Sequence, residues 1–121
     1  MSKNNLSFQR LILKGNLTRD PIYKILGDGT KVCNFTLAVN RNNGQKADFI
    51  PCVAWNNAAV IISDNCSIGT SLMIEGEIRT TLIEDTEGRK KPEMQVEVLE
   101  KGIIQFLNKN NNTQDNSNKD S

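Results

Sequence analysis

Histidine is absent from all 121 residues. That excludes His-containing triads, imidazole general bases and nearly all common zinc sites. There is also no Cys-x-x-Cys pair and no glycine loop of the P-loop kind. No paired carboxylates stand in a pattern suited to acid–base work, so neither an enzyme nor a cofactor is expected. No apolar run is long enough to cross a bilayer as a helix. The opening "MSKNNLSFQR" lacks the apolar centre of a secretory signal. A cytoplasmic protein without a membrane partner is the expectation. The three cysteines, Cys33, Cys52 and Cys66, are odd in number, widely spaced and set in apolar stretches. They read as reduced, buried thiols.

Apolar residues are scarce as well, at 37%. Part of the deficit lies in "NKNNNTQDNSNKDS", residues 108–121, which has no aliphatic or aromatic side chain. Such a segment cannot bury surface to offset its ordering entropy. It reads as a disordered, polar, Asn-rich tail. The folded body is then roughly residues 8–107, enough for one domain with a modest core. The net charge of +1 argues for no partner by itself. Its distribution says more. Residues 8–50 hold seven basic and three acidic side chains, whereas 51–107 hold five basic and nine acidic. The split is either chance or the source of a basic patch on a nearly neutral protein.

What is present is alternation. "RLILKGNL" reads as a strand with a bend at Gly15, broken by "TRDP". "IYKIL" is a short strand or edge, and the Asp-Gly of "GDGT" is a turn signal. "KVCNFTLAVNR" alternates, with Phe35, Leu37 and Val39 on one face. Asn42, Asn43 and Gly44 form the next turn, and a third main strand covers about 47–55. "NNAAVIISDNCSIG" then changes period: an Asn suited to capping, inward Ala58, Ile61, Ile62, Asn65 and Cys66, and a stop at Gly69 predict a short helix. Alternation returns over 71–84, with Leu72, Ile74 and Ile78 on one face and Glu75, Glu77, Arg79, Thr81 and Ile83 on the other. "DTEGRKKP" is a polar turn, "EMQVEVLE" alternates again, and "IIQFL" closes the body. Strand-rich chains with short polar turns form barrels or sandwiches. One helix between the third and fourth of about five strands fits the OB-fold, an all-β Greek-key barrel with an oligonucleotide-binding face.

Within "DFIPCVAW" (48–55), Phe49, Pro51, Val53 and Trp55, the only tryptophan, share one side of an extended strand. Two readings are open: a core-facing stripe, or a platform for something flat. Ile50, Cys52 and Ala54 make the other side apolar too. The small Cys52 and Ala54 suit a crowded barrel interior, which turns the rings outward, where exposed aromatics mark binding. Rings beside basic groups hold single-stranded nucleic acid. Every base has a π-face, each stacked base is worth roughly 1–3 kcal/mol, and Lys and Arg neutralise the phosphates. Arg79 and Thr81 are candidates for the same surface. Arg10, Arg41 and Lys46 lie near strand ends in the basic half, where a generic surface role is the bland alternative.

These segments together resemble the bacterial-type single-stranded DNA-binding proteins of the SSB family. "LILKGNLTRDP", "DGTKVCNFTLAVNR", "ADFIPCVAW", the helix ending at Gly69, "MIEGEIRT" and "VEVLEKGIIQFL" follow in the family's order. The resemblance implies an OB-fold DNA-binding domain over residues 1–107 ahead of the 108–121 tail. It also implies a homotetramer, a dimer being the alternative, that wraps single-stranded DNA without sequence preference. Phe49 and Trp55 stand where the family has base-stacking aromatics. Two further aromatic places are vacant, one near Asn43 and one at Ile83, and the loop "NNGQK" is short. Fewer stacking sites imply weaker binding, a smaller site or heavier reliance on charge. The end "DNSNKDS" lacks the family's acidic tip with its terminal apolar residue, so partner recruitment through that tip is not expected. An accessory member, carried by a plasmid or phage, would suit these departures. The rival readings are an OB-fold accessory protein that assembles with partners and binds DNA weakly, a small nuclease, for which no carboxylate cluster is found, and RNA as the ligand.

Overall fold

Alternating small and large apolar residues make strands that bury one face, and here the strands close on themselves. The computed structural model describes residues 7–107; the tail reading for 108–121 lies outside them. The elements are β1 (Leu11–Leu17), β2 (Ile22–Ile25), β3 (Lys31–Asn40), β4 (Ala47–Trp55), α1 (Asn56–Asn65), β5 (Ser71–Glu84) and β6 (Lys90–Leu107). Strand neighbours run β1-β5-β6-β4-β3-β2, and β1 also pairs with β3. That extra pairing, Asn16 with Ala38 and Leu17 with Leu37, joins the run into a ring of five strands. The chain is thus an OB-fold barrel. β2 stays outside the closure, on the same edge of β3 that β1 reaches further along. Counting β2, the helix falls between the fourth and fifth strands; among the five barrel strands it falls between the third and fourth, as the sequence predicts.

The seams of the barrel are unequal. β3 and β4 are matched over nine residue pairs, Val32 with Trp55 through Asn40 with Ala47. β4 and β6 run parallel and are matched only at Cys52–Val96 and Val53–Glu97. The core gathers Leu17, Phe35, Leu37, Cys52, Ala54, Leu72, Ile74, Val96 and Val98, roofed by Ala58, Ala59 and Ile62 of α1. Thr70 is buried among them, and its hydroxyl oxygen accepts the Ser67 N–H at 3.0 Å.

Several details depart from the sequence reading. β6 is one strand, although Lys101-Gly102 reads as a break. A Cβ on Gly102 would lie 2.2 Å from the Glu75 carbonyl oxygen, so the glycine serves close packing rather than a turn. The β5–β6 register shifts near Met73, Ile74 and Gly76, which bends the long pair. Ile78 is exposed although Leu72 and Ile74 are wholly buried. From Thr80 to Glu84, β5 pairs with Lys90–Met94 as a largely exposed two-stranded arm beyond the core. Of the residues expected inward around α1, Ala58, Ile62 and Cys66 are buried, whereas Ile61 and Asn65 are exposed and Ala59 is buried in their stead. No side chain caps the helix. Asn56 instead occupies the left-handed region at φ 53°, which asparagine tolerates, and its Oδ1 accepts the Lys31 N–H at 3.3 Å. The helix stops at Asn65, ahead of Gly69, whose N–H donates to the Leu17 carbonyl.

Gly15 is where β1 crosses close over β3. A Cβ there would sit 2.5 Å from the Ala38 carbonyl oxygen, a distance real Cβ atoms do not show. Gly15→Ala should therefore cost about 1–3 kcal/mol through overpacking, read as a lowered urea midpoint; an unchanged midpoint would mean that β1 is not held in this crossing. The three cysteines are free and buried. Burial pushes the Cys52 thiol up to about 12, and the Cys33 and Cys66 thiols up to about 11. All three stay protonated at neutral pH, so an aromatic disulfide reagent should react with none of them in the native protein and with all three after unfolding.

Candidate nucleic-acid interface

Register decides which side chains meet on the surface, because residues opposite each other in a ladder point to the same face. Trp55 lies opposite Val32, and Val32 lies opposite Lys24 of β2. Val53 lies between Asn34 of β3 and Glu97 of β6, and Glu97 lies opposite Glu77 of β5. Stepping by twos from these rows, Phe49, Pro51, Val53 and Trp55 share one face with Asn34 and Thr36, with Gln95 and Glu97, and with Glu77, Arg79, Thr81 and Ile83.

This face points outward. Cys52 and Ala54 are 2% and 0% exposed, whereas Phe49 is 68% exposed and Trp55 37%. The small residues enter the interior and the rings stay outside. Val53 between the rings and Val32 beside Trp55 are buried and form a floor. A groove of about 270 Å³ crosses β4 at Pro51 and is walled by Arg19, Ile22, Asn34, Thr36, Glu93 and Gln95. Beside Trp55 a second hollow, of about 300 Å³, is lined by Asn56, Asn57, Glu97, Val98 and Glu100. Phe49 borders an apolar trough of about 390 Å³ with Leu11, Leu13, Ile50, Ile78 and Met94.

The cations behave differently from one another. Arg79 sits between two carboxylates: its Nη2 is 2.7 Å from Glu77 Oε1 and its Nε 2.9 Å from Glu97 Oε1. The Glu77 hydrogen bond is the main reason its guanidinium holds its proton more tightly than usual. Arg41 grips Asp48 with two hydrogen bonds, of 2.9 and 3.2 Å, which lowers the carboxyl pKa. Arg10, just ahead of β1, meets Glu75 at 2.5 Å and lies 5.9 Å from the centre of the Phe8 ring. Lys46 makes no ion pair among the described residues.

The fold therefore brings Phe49, Trp55, Arg79, Thr81 and Ile83 onto one face. Arg41 and Lys46 stand at the β3–β4 turn, near the Phe49 end of β4, and Arg10 stands beside β5. Lys24 and Asn34 belong to the ring-bearing face and are missing from the sequence-based candidates. The Asp-Gly turn after β2 fixes the register that places them, and Lys24 makes no ion pair among the described residues.

Comparison with known proteins bears on this face. The model of the single-strand binding protein family matches residues 8–107. A single-stranded DNA-binding protein of Halalkalibacterium halodurans is 41% identical over 67% of this chain and 51% of its own length. Single-stranded DNA-binding protein 2 of Listeria monocytogenes is 36% identical over 87% of this chain and 68% of its own. A single-stranded DNA-binding protein of Enterococcus faecalis is 40% identical over 66% of this chain and 45% of its own. The chain thus spans about half the length of several curated relatives it matches.

An exposed ring contributes little to stability. Phe49→Ala should shift the unfolding free energy by about 1 kcal/mol or less, measured by urea unfolding; a loss of several kcal/mol would mark Phe49 as core.

Proposed function

Because this chain belongs to the single-strand binding protein family, we propose that it binds single-stranded DNA without sequence preference and shields it during replication, recombination or repair. The protein does no chemistry on the strand. The observation that carries this reading is the orientation of β4, with Cys52 and Ala54 inward and the Phe49 and Trp55 rings outward. Bases stack on the two rings, and lysines and arginines around the face take phosphates. Ile83 and Thr81 add apolar and hydroxyl contact along the arm. Asn34, Thr36 and Gln95, on the same face, offer adaptable hydrogen bonding between the rings. Sequence tolerance follows, because stacking accepts any base. The working unit is a homotetramer in the cytoplasm. Among the described residues no helix is long and apolar enough to cross a membrane.

Trp55 is the only tryptophan, so its fluorescence reports one place. Titration with dT oligonucleotides of increasing length should quench it and saturate at a defined length. Trp55→Ala should cost roughly 1–3 kcal/mol of binding, and affinity should fall steeply with salt as counterions are released. Absence of both quenching and binding would overturn the proposal.

A further inference from the structure

Arg79 lies on the ring-bearing face, where a phosphate contact would be expected. Three of its five N–H groups are already engaged within the chain. Nη2 faces Glu77, Nε faces Glu97, and Nη1 donates to the Ile78 carbonyl at 3.3 Å. A guanidinium grips a phosphate by directing two N–H groups at it together, and here Nε and Nη2 each already meet a carboxylate. The clamp holds two negative charges against one positive. Glu97 also lines the hollow beside Trp55, together with Glu100. The hollow on the β6 side of Trp55 is thus lined by two carboxylates and by no lysine or arginine. On the opposite side, Lys24 stands in the Trp55 row, two strands away and without an ion pair among the described residues.

We propose that Glu77 and Glu97 are affinity-setting residues: they hold Arg79 away from phosphate and turn the sugar–phosphate backbone of a bound strand toward β2, where Lys24 receives it. This rests on the single-stranded DNA-binding reading above and gives the strand a side. Exposed ion pairs are weak one at a time, but a phosphate that takes Arg79 must break two of them and then lie beside both carboxylates, where like charges repel. The carboxylates therefore lower affinity at the Trp55 end and steer the path of the backbone.

The test is a variant set measured by the anisotropy of a labelled dT oligonucleotide across salt concentrations. Glu77 and Glu97 are surface side chains, 31% and 30% exposed, so E77Q/E97Q keeps their shape and removes only charge. That variant should bind roughly fivefold tighter or more, with a salt slope steeper by about one, because a freed Arg79 adds one phosphate contact. Adding R79Q should remove both gains. K24Q in the parent should weaken binding several-fold and flatten the slope by about one. The inference is overturned if E77Q/E97Q binds no tighter, if its gain survives R79Q, or if K24Q binds like the parent. In each of those cases the parent still binds dT and the function stands. If neither the parent nor any variant binds dT at any length, the functional proposal falls and takes the inference with it.

Discussion

Closure of the barrel depends on backbones approaching more closely than side chains would allow. Gly15 lets β1 lie against Ala38, and Gly76 lets β5 lie against Glu97, each with a backbone oxygen 2.5 Å from where a Cβ would stand. A ring of five strands this tight leaves little interior volume. Cys52 and Ala54 fit it, and large rings at those positions would not. The outward aim of Phe49 and Trp55 is thus set by packing before any ligand is considered. Strand geometry does the rest, since a residue one step along must point the other way.

The same logic explains what was legible in the sequence. Alternation with small residues on one side of "DFIPCVAW" was enough to orient the rings, and turn signals were enough to order the strands. Other features depend on partners distant in the chain. Gly102 looks like a strand end until Glu75 is placed over it. Asn56, at the start of α1, looks like a cap until β3 supplies a donor for it. The clamp on Arg79 could not be read, because Glu97 comes beside it only through the β5–β6 and β4–β6 registers. Arg41 and Asp48 are seven residues apart across a hairpin, and their pairing needed only the register of one turn.

The charge split along the chain becomes a split in space. Arg19 and Lys24 come from the basic half and stand on the β2 side of the ring column, with the acidic Asp20 beside Arg19 in the same groove lining. Glu77, Glu93, Glu97 and Glu100 come from the acidic half and stand on the β5–β6 side. Net charge near zero therefore hides a face with a gradient across it, which matters more for a charged ligand than the total does.

The unequal seams have a consequence of their own. β2, β3 and β4 form one well-knit leaf, and β1, β5 and β6 form another. Each of the two junctions between the leaves, β1–β3 and β4–β6, is matched at only two residue pairs. The rings ride on the first leaf, and the carboxylates that flank them ride on the second. Separating the leaves at either junction breaks far fewer ladder pairings than separating β3 from β4 or β5 from β6. Partial opening of the barrel is therefore expected to follow the boundary between the leaves, leaving the rings and the β2–β3–β4 ladder that aims them in place.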